Sequence, residues 1–391
     1  MEPSMPAYAK LGLDEYCPEF IRIEETIKIS DSDLPSRAAS LGIIANFPRE
    51  VIDNILSWLD AQSVARFARV SVECNTCARK QLLYRDLIKY APKALLALSK
   101  VGLIGLFPMI RLYTTLRTRQ CTGCNQFGPF LFLPSCKRWC YNCLHDNTSN
   151  LLLRMLPLDR AKVYFALNEE SIKQLPILNV IPGQYGPDPN DNKGVKYKTG
   201  WWQRTRTQIV SVEAARNLGI MIHGSAENLA SEVEKRYNAY HRESTLARVK
   251  KAVLNPRDPE RWLGHAMYLH TNNSFSGKDE YHVDKLFGTA FVPFPSVSES
   301  GAIEHGLRCR GCLVNVDIYP NVIPYGIMYR YRYNRELYRA YSVQSFLSHI
   351  KGCDGVKNLR CVHEDESNRS LSKYELYVEA VKLGIHEYRE G

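Results

Sequence analysis

The chain has 391 residues, enough for two or three domains with cores of their own. With 45% hydrophobic and 24% charged residues it has the composition of an ordinary globular protein, which excludes disorder as the main theme. Lys+Arg number 51 against 41 for Asp+Glu, a formal net charge of +10 that favours acidic partners in general without naming one. The most apolar stretch, Ala94 to Phe107, contains Lys100 and ends at Pro108, so it predicts a buried helix and not a membrane span. The opening MEPSMPAYAK lacks the basic and apolar regions of a secretory signal. These features predict an intracellular protein, in cytoplasm and/or nucleus, whose twelve cysteines are reduced or metal-bound.

In chain order, residues 1–43 are expected to be a partly flexible lead-in ending in Ser30-Asp31-Ser32-Asp33-Leu34-Pro35. Pro48 then opens a helix, where the first turn has no internal donor to lose, and Val51, Ile52, Ile55, Leu56 and Leu59 recur at helical spacing. Asp60 is placed to cap a second helix carrying Val64, Phe67 and Ala68, and Ser71 a third that runs towards Leu82 and Leu83. Three short helices in about forty residues enclose too little core to stand alone, so the apolar surface needs a partner.

This stretch resembles an F-box. Phe47-Pro48-Arg49-Glu50-Val51-Ile52, Ile55-Leu56-Ser57, Leu59-Asp60, Val70-Ser71 and Leu83-Tyr84-Arg85 stand at the places of that pattern, while Phe47 replaces the usual leucine and Cys74 the preferred tryptophan. The resemblance implies a trihelical module over residues 44–90 that docks on a Skp-type adaptor, and through it on a cullin. Phe47, Pro48, Val51, Ile52, Ile55, Leu56, Leu59 and Val70 would carry the contact.

Residues 91–120 read as an apolar helical connector. Beyond it, in a first zinc element over 121–150, Cys121-Thr-Gly-Cys124 and Cys140-Tyr-Asn-Cys143 form two Cys-x-x-Cys pairs at the spacing of a tetrahedral structural zinc site. Gly123 is expected to free the backbone for the tight turn between the first pair, and Phe127 to Phe132 to supply an apolar pad with a hairpin around it. Cys136 and His145 are alternative ligands.

Residues 151–300 form a mixed helical and loop region. Leu151 to Leu178 is helical in pattern; Ile181 to Thr207 is a Pro-, Gly-, Asn- and Asp-rich loop in which Trp201-Trp202 either forms a recognition surface or locks the loop onto the core. Gln208 to Val212 predicts a strand, Ser211 to Leu218 a helix, and Ala226 to Leu254 the longest helix. Arg261 to Glu304 is expected to be mostly irregular, with short apolar runs such as Ala290-Phe291-Val292.

The last segment, 301–391, holds a second zinc element and a C-terminal helix from Leu371 to Tyr388. Cys309-Arg-Gly-Cys312 repeats the Cys-x-Gly-Cys knuckle, and Ser342 is placed to cap a helix from which His349 and Cys353 project on one face. Cys361 and His363 are the alternative ligands. Tyr329-Arg330-Tyr331-Arg332-Tyr333 alternates with period two; on a strand it either covers the metal core with tyrosines or offers rings and guanidinium groups to single-stranded nucleic acid.

The fold class expected is mainly α with small β elements, an N-terminal trihelical F-box followed by a zinc-stabilised helical and irregular domain. The whole arrangement is similar to a group of F-box proteins of filamentous fungi with the same two cysteine clusters. It implies a non-catalytic substrate receptor of a cullin-type ubiquitin ligase with two structural zinc ions and an unknown protein target. A zinc-containing nucleic-acid-binding or regulatory protein is the alternative. Enzyme activity is not expected: both quartets are closed and sulfur-rich, and the chain contains no phosphate loop, Gly-x-Ser-x-Gly elbow or His-Glu-x-x-His.

Overall fold

A computed structural model describes residues 9–10, 40–145, 153, 155–181, 183–185, 201–203, 207–237, 287–309, 311–312 and 339–356. The Tyr329 to Tyr333 stretch, Cys361, His363 and the expected C-terminal helix lie outside these residues. The fold is mainly α with small β elements. Among the described residues no helix is long and apolar enough to cross a membrane.

After a two-residue strand β1 (Ala9–Lys10), the chain enters a run of short helices: α1 (Arg49–Trp58), α2 (Ala61–Phe67), α3 (Val72–Lys80), α4 (Leu82–Tyr90), α5 (Pro92–Val101) and α6 (Met109–Arg117). Asp60 and Ser71 cap α2 and α3 as their positions predict: Asp60 Oδ1 accepts from Ser63 N at 2.8 Å and Ser71 Oγ from Cys74 N at 3.0 Å. The third helix does not run through to Leu83. Gln81 turns extended, its side chain accepts from Tyr84 N at 2.7 Å, and a fourth helix starts. The connector is likewise two helices, because Gly102 adopts φ +86° and closes α5 in the left-handed conformation that glycine supplies without strain.

Helix α6 runs behind the preceding helices. Met109 N–H donates to Leu59 O at 2.9 Å, Asp60 and Pro108 form a β-bridge, and Arg117 at its far end pairs with the buried Asp86 of α4 at 2.9 Å. A hairpin of β2 (Phe130–Phe132) and β3 (Lys137–Trp139) follows, then the short α7 (Tyr141–His145). One continuous core holds Ile52, Leu56, Leu98, Leu112, Leu116, Cys121, Phe130, Trp139 and Cys140 together, so the first helices, the connector and the first cysteine element are packed as a single body.

A second core is built from β4 (Met155–Pro157), α8 (Leu158–Tyr164), β8 (Gln208–Ser211), α9 (Val212–His223) and α10 (Ala226–Tyr237); β5 (Leu178–Asn179) completes the sheet, order β4-β8-β5, whose other face sends Met155, Leu178 and Ile209 into the first core. Ser211 caps α9 through Ala214 N at 3.0 Å. Between β5 and β8 lie β6 (Gly183–Tyr185) and β7 (Trp201–Gln203), an antiparallel pair that places Trp201 opposite Tyr185 and Trp202 opposite Gln184. The two tryptophans are therefore in a paired strand and not in a loop. The part of the expected long helix beyond Tyr237 lies outside the described residues.

Of the stretch from Arg261 to Glu304, the described part, residues 287–304, is not irregular but carries β9 (Phe291–Pro293), β10 (Ser296–Val297) and β11 (Ile303–Glu304). Strand β9 joins the hairpin on its free side, giving the order β3-β2-β9, with Phe130 and Phe291 edge-to-face at 5.3 Å. Strand β2 is buried along its whole length, which is why Phe-Leu-Phe shows no alternation. Last, β12 (Arg308–Cys309) pairs with β1, and α11 (Val343–Gly352), capped by Ser342, closes a small third core of Leu307, Tyr341, Phe346, Ile350 and Val356 around cysteines.

Candidate metal centres and docking face

The two expected quartets are each assembled. Cys121, Cys124, Cys140 and Cys143 form one cluster, and Cys309, Cys312, His349 and Cys353 the other, with all ligand atoms of a cluster within 4.8 Å of one another. Four ligands about 2.3 Å from one ion at tetrahedral angles stand roughly 3.8 Å apart if sulfur, and a little closer if one is nitrogen. The structure has Cys124 to Cys140 at 3.6 Å, Cys309 to Cys353 at 3.8 Å, Cys312 to Cys353 at 3.7 Å, and Cys312 Sγ to His349 Nε2 at 3.3 Å. Both clusters therefore fit a tetrahedral metal ion, the donor set being one that zinc prefers.

In the first centre Cys121 and Cys124 come from a knuckle and Cys140 and Cys143 from the start of α7. Backbone N–H groups aim at the sulfurs: Gly123 N at 3.4 Å and Cys140 N at 3.2 Å from Cys121 Sγ, and Cys143 N at 3.4 Å from Cys140 Sγ. Such donors favour thiolates. The knuckle glycine serves space and not torsion. Asn125 takes the left-handed φ of +59°, while a Cβ on Gly123 would meet the Trp139 ring at 2.8 Å and Cys143 Sγ at 3.0 Å. Hydrogen bonds from Cys140 and Cys143 hold the Cys121 thiol down at about 2, and the same bonds push Cys140 and Cys143 up. Sulfurs this close share a charge until a dication replaces their protons.

Cys136, an alternative ligand, is not in this cluster. It is buried beside Thr115 Oγ1 at 4.0 Å, and burial pushes its thiol up to about 11, so it is an inert core cysteine. The side chain of His145 lies outside the described residues.

In the second centre Cys309 ends β12, Cys312 lies in a helical stretch at residues 311–312, and His349 and Cys353 come from α11 and its C-cap. The close approach here is glycine on glycine: a Cβ on Gly311 would run into the backbone of Gly355 and Val356. The His349 imidazole stacks on Tyr341 with ring centroids 4.4 Å apart, and Nδ1 lies 3.2 Å from the Tyr341 hydroxyl, leaving Nε2 towards the sulfurs. Hydrogen bonding to Cys309 and then Cys353 raises the imidazole to about 9.

One functional residue escaped the sequence reading. Arg138, on β3 between the exposed Lys137 and the buried Trp139, is itself buried. Its guanidinium donates to Gly128 O at 2.7 Å, Phe294 O at 2.7 Å, Pro295 O at 2.6 Å and Thr115 O at 3.0 Å, and lies 4.9 Å from the Phe294 ring. Burial lowers it to about 9. A charged residue between two cysteine pairs looks like a solvated strand residue, and its acceptors come from three other parts of the chain.

The helices of residues 44–86 divide their apolar residues between two sides. Ile52 and Leu56 are 5% and 2% exposed and pack into the chain's own core, whereas the F-box resemblance implies that they meet the adaptor. Val51, Ile55 and Trp58, at i, i+4 and i+7, are 41%, 49% and 67% exposed and form a stripe on the other side. Phe47 and Val70 are also exposed, Pro48 is exposed at the helix start, and Leu59 is half-buried. Trp58 was not among the expected contact residues, although its place in the stripe was readable from the spacing. The helices are tied from behind: Arg49 pairs with Asp53 at 3.0 Å and donates to Cys77 O at 3.0 Å, joining α1 to the end of α3.

Comparison with known families places an F-box domain at residues 44–86. No curated protein and no solved structure matches the chain.

Proposed function

We propose that the chain is a substrate-recruiting subunit of a cullin-type ubiquitin ligase, docking on a Skp-type adaptor through the F-box and holding a protein target with the remainder. The observation that carries this reading is the open stripe of Val51, Ile55 and Trp58 on the segment that matches the F-box domain. A helix with this much apolar surface turned outward is a docking face in want of a partner. The remainder is the target-holding half, stiffened by two zinc ions at the clusters of Cys121, Cys124, Cys140, Cys143 and of Cys309, Cys312, His349, Cys353. The order F-box, first cluster, second cluster is that of the filamentous-fungal F-box proteins it resembles, and the role is non-catalytic and intracellular. Ubiquitin transfer belongs to other subunits.

The test is co-purification of the full chain with a Skp adaptor. Wild type is expected to bind. Val51→Asp combined with Ile55→Asp places two charges on the open stripe and is expected to abolish binding with little change in unfolding temperature, since neither side chain is in the core. A wild type that fails to bind removes the proposal.

A further inference from the structure

The first cysteine quartet and the docking face are separated by some sixty residues of sequence but joined by one helix. At its N-terminal end α6 is bonded to the end of α1 through Met109 N and Leu59 O, 2.9 Å apart, and through the bridge between Pro108 and Asp60. Along its length Met109, Leu112 and Leu116 are fully buried in the core that also holds Ile52 and Leu56, the inward side of the docking helix. The cysteine hairpin grips it at two points: Arg111 donates to Ser135 O at 2.7 Å and Arg138 to Thr115 O at 3.0 Å, while the Thr115 hydroxyl, which bonds Arg111 O at 2.9 Å, also lies 3.1 Å from Cys136 O. Strand β3 runs directly into the second ligand pair, Cys140 following Trp139, and Thr122 N beside the first pair donates to Arg138 O at 2.9 Å. The base of the hairpin is therefore closed by whatever holds the four sulfurs together. Of the four, Cys124 is exposed and Cys121 and Cys140 are buried. The second quartet sits in its own small core, which shares no residue with the cluster around α6.

We infer that occupancy of the first metal centre controls presentation of the docking face: the ion fixes the hairpin, the hairpin fixes α6, and α6 backs α1. Occupancy of the second centre does not. This rests on the reading of residues 44–86 as a docking module, and the exposed Cys124 is the point at which a chelator or oxidant reaches the control.

The experiment compares the full chain as wild type, Cys124→Ser and Cys309→Ser. Metal content, amide hydrogen exchange and adaptor affinity are measured on each. Each variant is expected to retain about half the zinc of the wild type, one of two centres being lost. Exchange in Arg49–Trp58 and Met109–Arg117 is expected to rise about tenfold or more in Cys124→Ser, with a comparable loss of adaptor affinity, and to stay within about twofold in Cys309→Ser. If Cys124→Ser does not fold, a zinc chelator added to folded Cys309→Ser, which holds only the first ion, followed by zinc, gives the same reading: protection of α1 falls and returns. Unchanged α1 exchange after loss of the first ion, or equal loosening by either variant, overturns the inference, as does wild type that holds no metal. A wild type that ignores the adaptor but whose α1 exchange follows the first ion sinks the docking reading and leaves the coupling standing.

Discussion

Arg138 shows how much one side chain holds in place. Its guanidinium joins β3 to the C-terminal half of α6, to Gly128 before β2, and to the carbonyls of Phe294 and Pro295 after β9, with no carboxylate in the set. A cation solvated only by carbonyl oxygens is retained because removing it orphans every acceptor at once. Replacing Arg138 by Met should therefore cost about 3–5 kcal/mol in a denaturant titration, since several buried carbonyls lose their donor at about 1–3 kcal/mol each. Arg138→Lys should recover only part of this, because an ammonium is a compact point that cannot span acceptors on four sides. A loss under about 1 kcal/mol for Arg138→Met would show that the network is incidental. This residue also marks where sequence reading stops. The eight metal-cluster residues were legible because coordination imposes short spacings within each pair. Arg138 was not, because its partners lie 10 to 157 residues away and nothing in its neighbours announces them.

At the level of elements, caps and breaks were readable where the signal is a side chain acting on its own neighbourhood. Asp60, Ser71 and Ser342 all cap the helices they precede. Asp60 is the most exacting case, accepting from Ser63 N at 2.8 Å and from Ser63 Oγ at 2.6 Å while its backbone bridges to Pro108. Asp60→Ala should lower stability by about 1 kcal/mol through the lost cap, seen as a lower midpoint in thermal unfolding, whereas Asp60→Asn should lose only a fraction of that. The break at Gln81 was missed because glutamine is an ordinary helix former, and only its side-chain bond to Tyr84 N marks the new start. Periodicity also left one question open on α1. It showed a wide apolar surface, but which half faces the core is decided by α6, an element outside the pattern. The burial of Ile52 and Leu56 and the exposure of Val51 and Ile55 are therefore set by that packing and not by the spacing alone.

At the scale of the whole molecule, the long-range pairing of β9 with β2 decides what counts as a folding unit. Phe291, Val292 and Pro293 lie opposite Phe132, Leu131 and Phe130, and Phe294 and Pro295 supply two of the Arg138 acceptors. An apolar run of three residues looked irregular in sequence because its partner strand lies some 160 residues earlier, beyond the reach of any local pattern. The consequence is that residues 40–145, although they contain every helix of the F-box and all four ligands of the first centre, lack one edge of their own sheet. A fragment of those residues should leave Phe130, Leu131 and Phe132 open along the unpaired edge of β2 and expose two Arg138 donors to water. It is expected to bind a hydrophobic dye, to aggregate on concentration, and to unfold well below the full chain even when zinc is supplied. Adding a peptide of residues 287–305 should restore part of the lost stability, because that segment carries β9 and the two carbonyls together. If the fragment alone unfolds cooperatively at the temperature of the full chain, β9 is an ornament on a finished core, and the boundary of the F-box body falls at the end of α7. If the peptide rescues it, the body that carries residues 44–86 closes only when the chain returns from its second core, and a change in that returning segment will reach α1 through β2, Arg138 and α6.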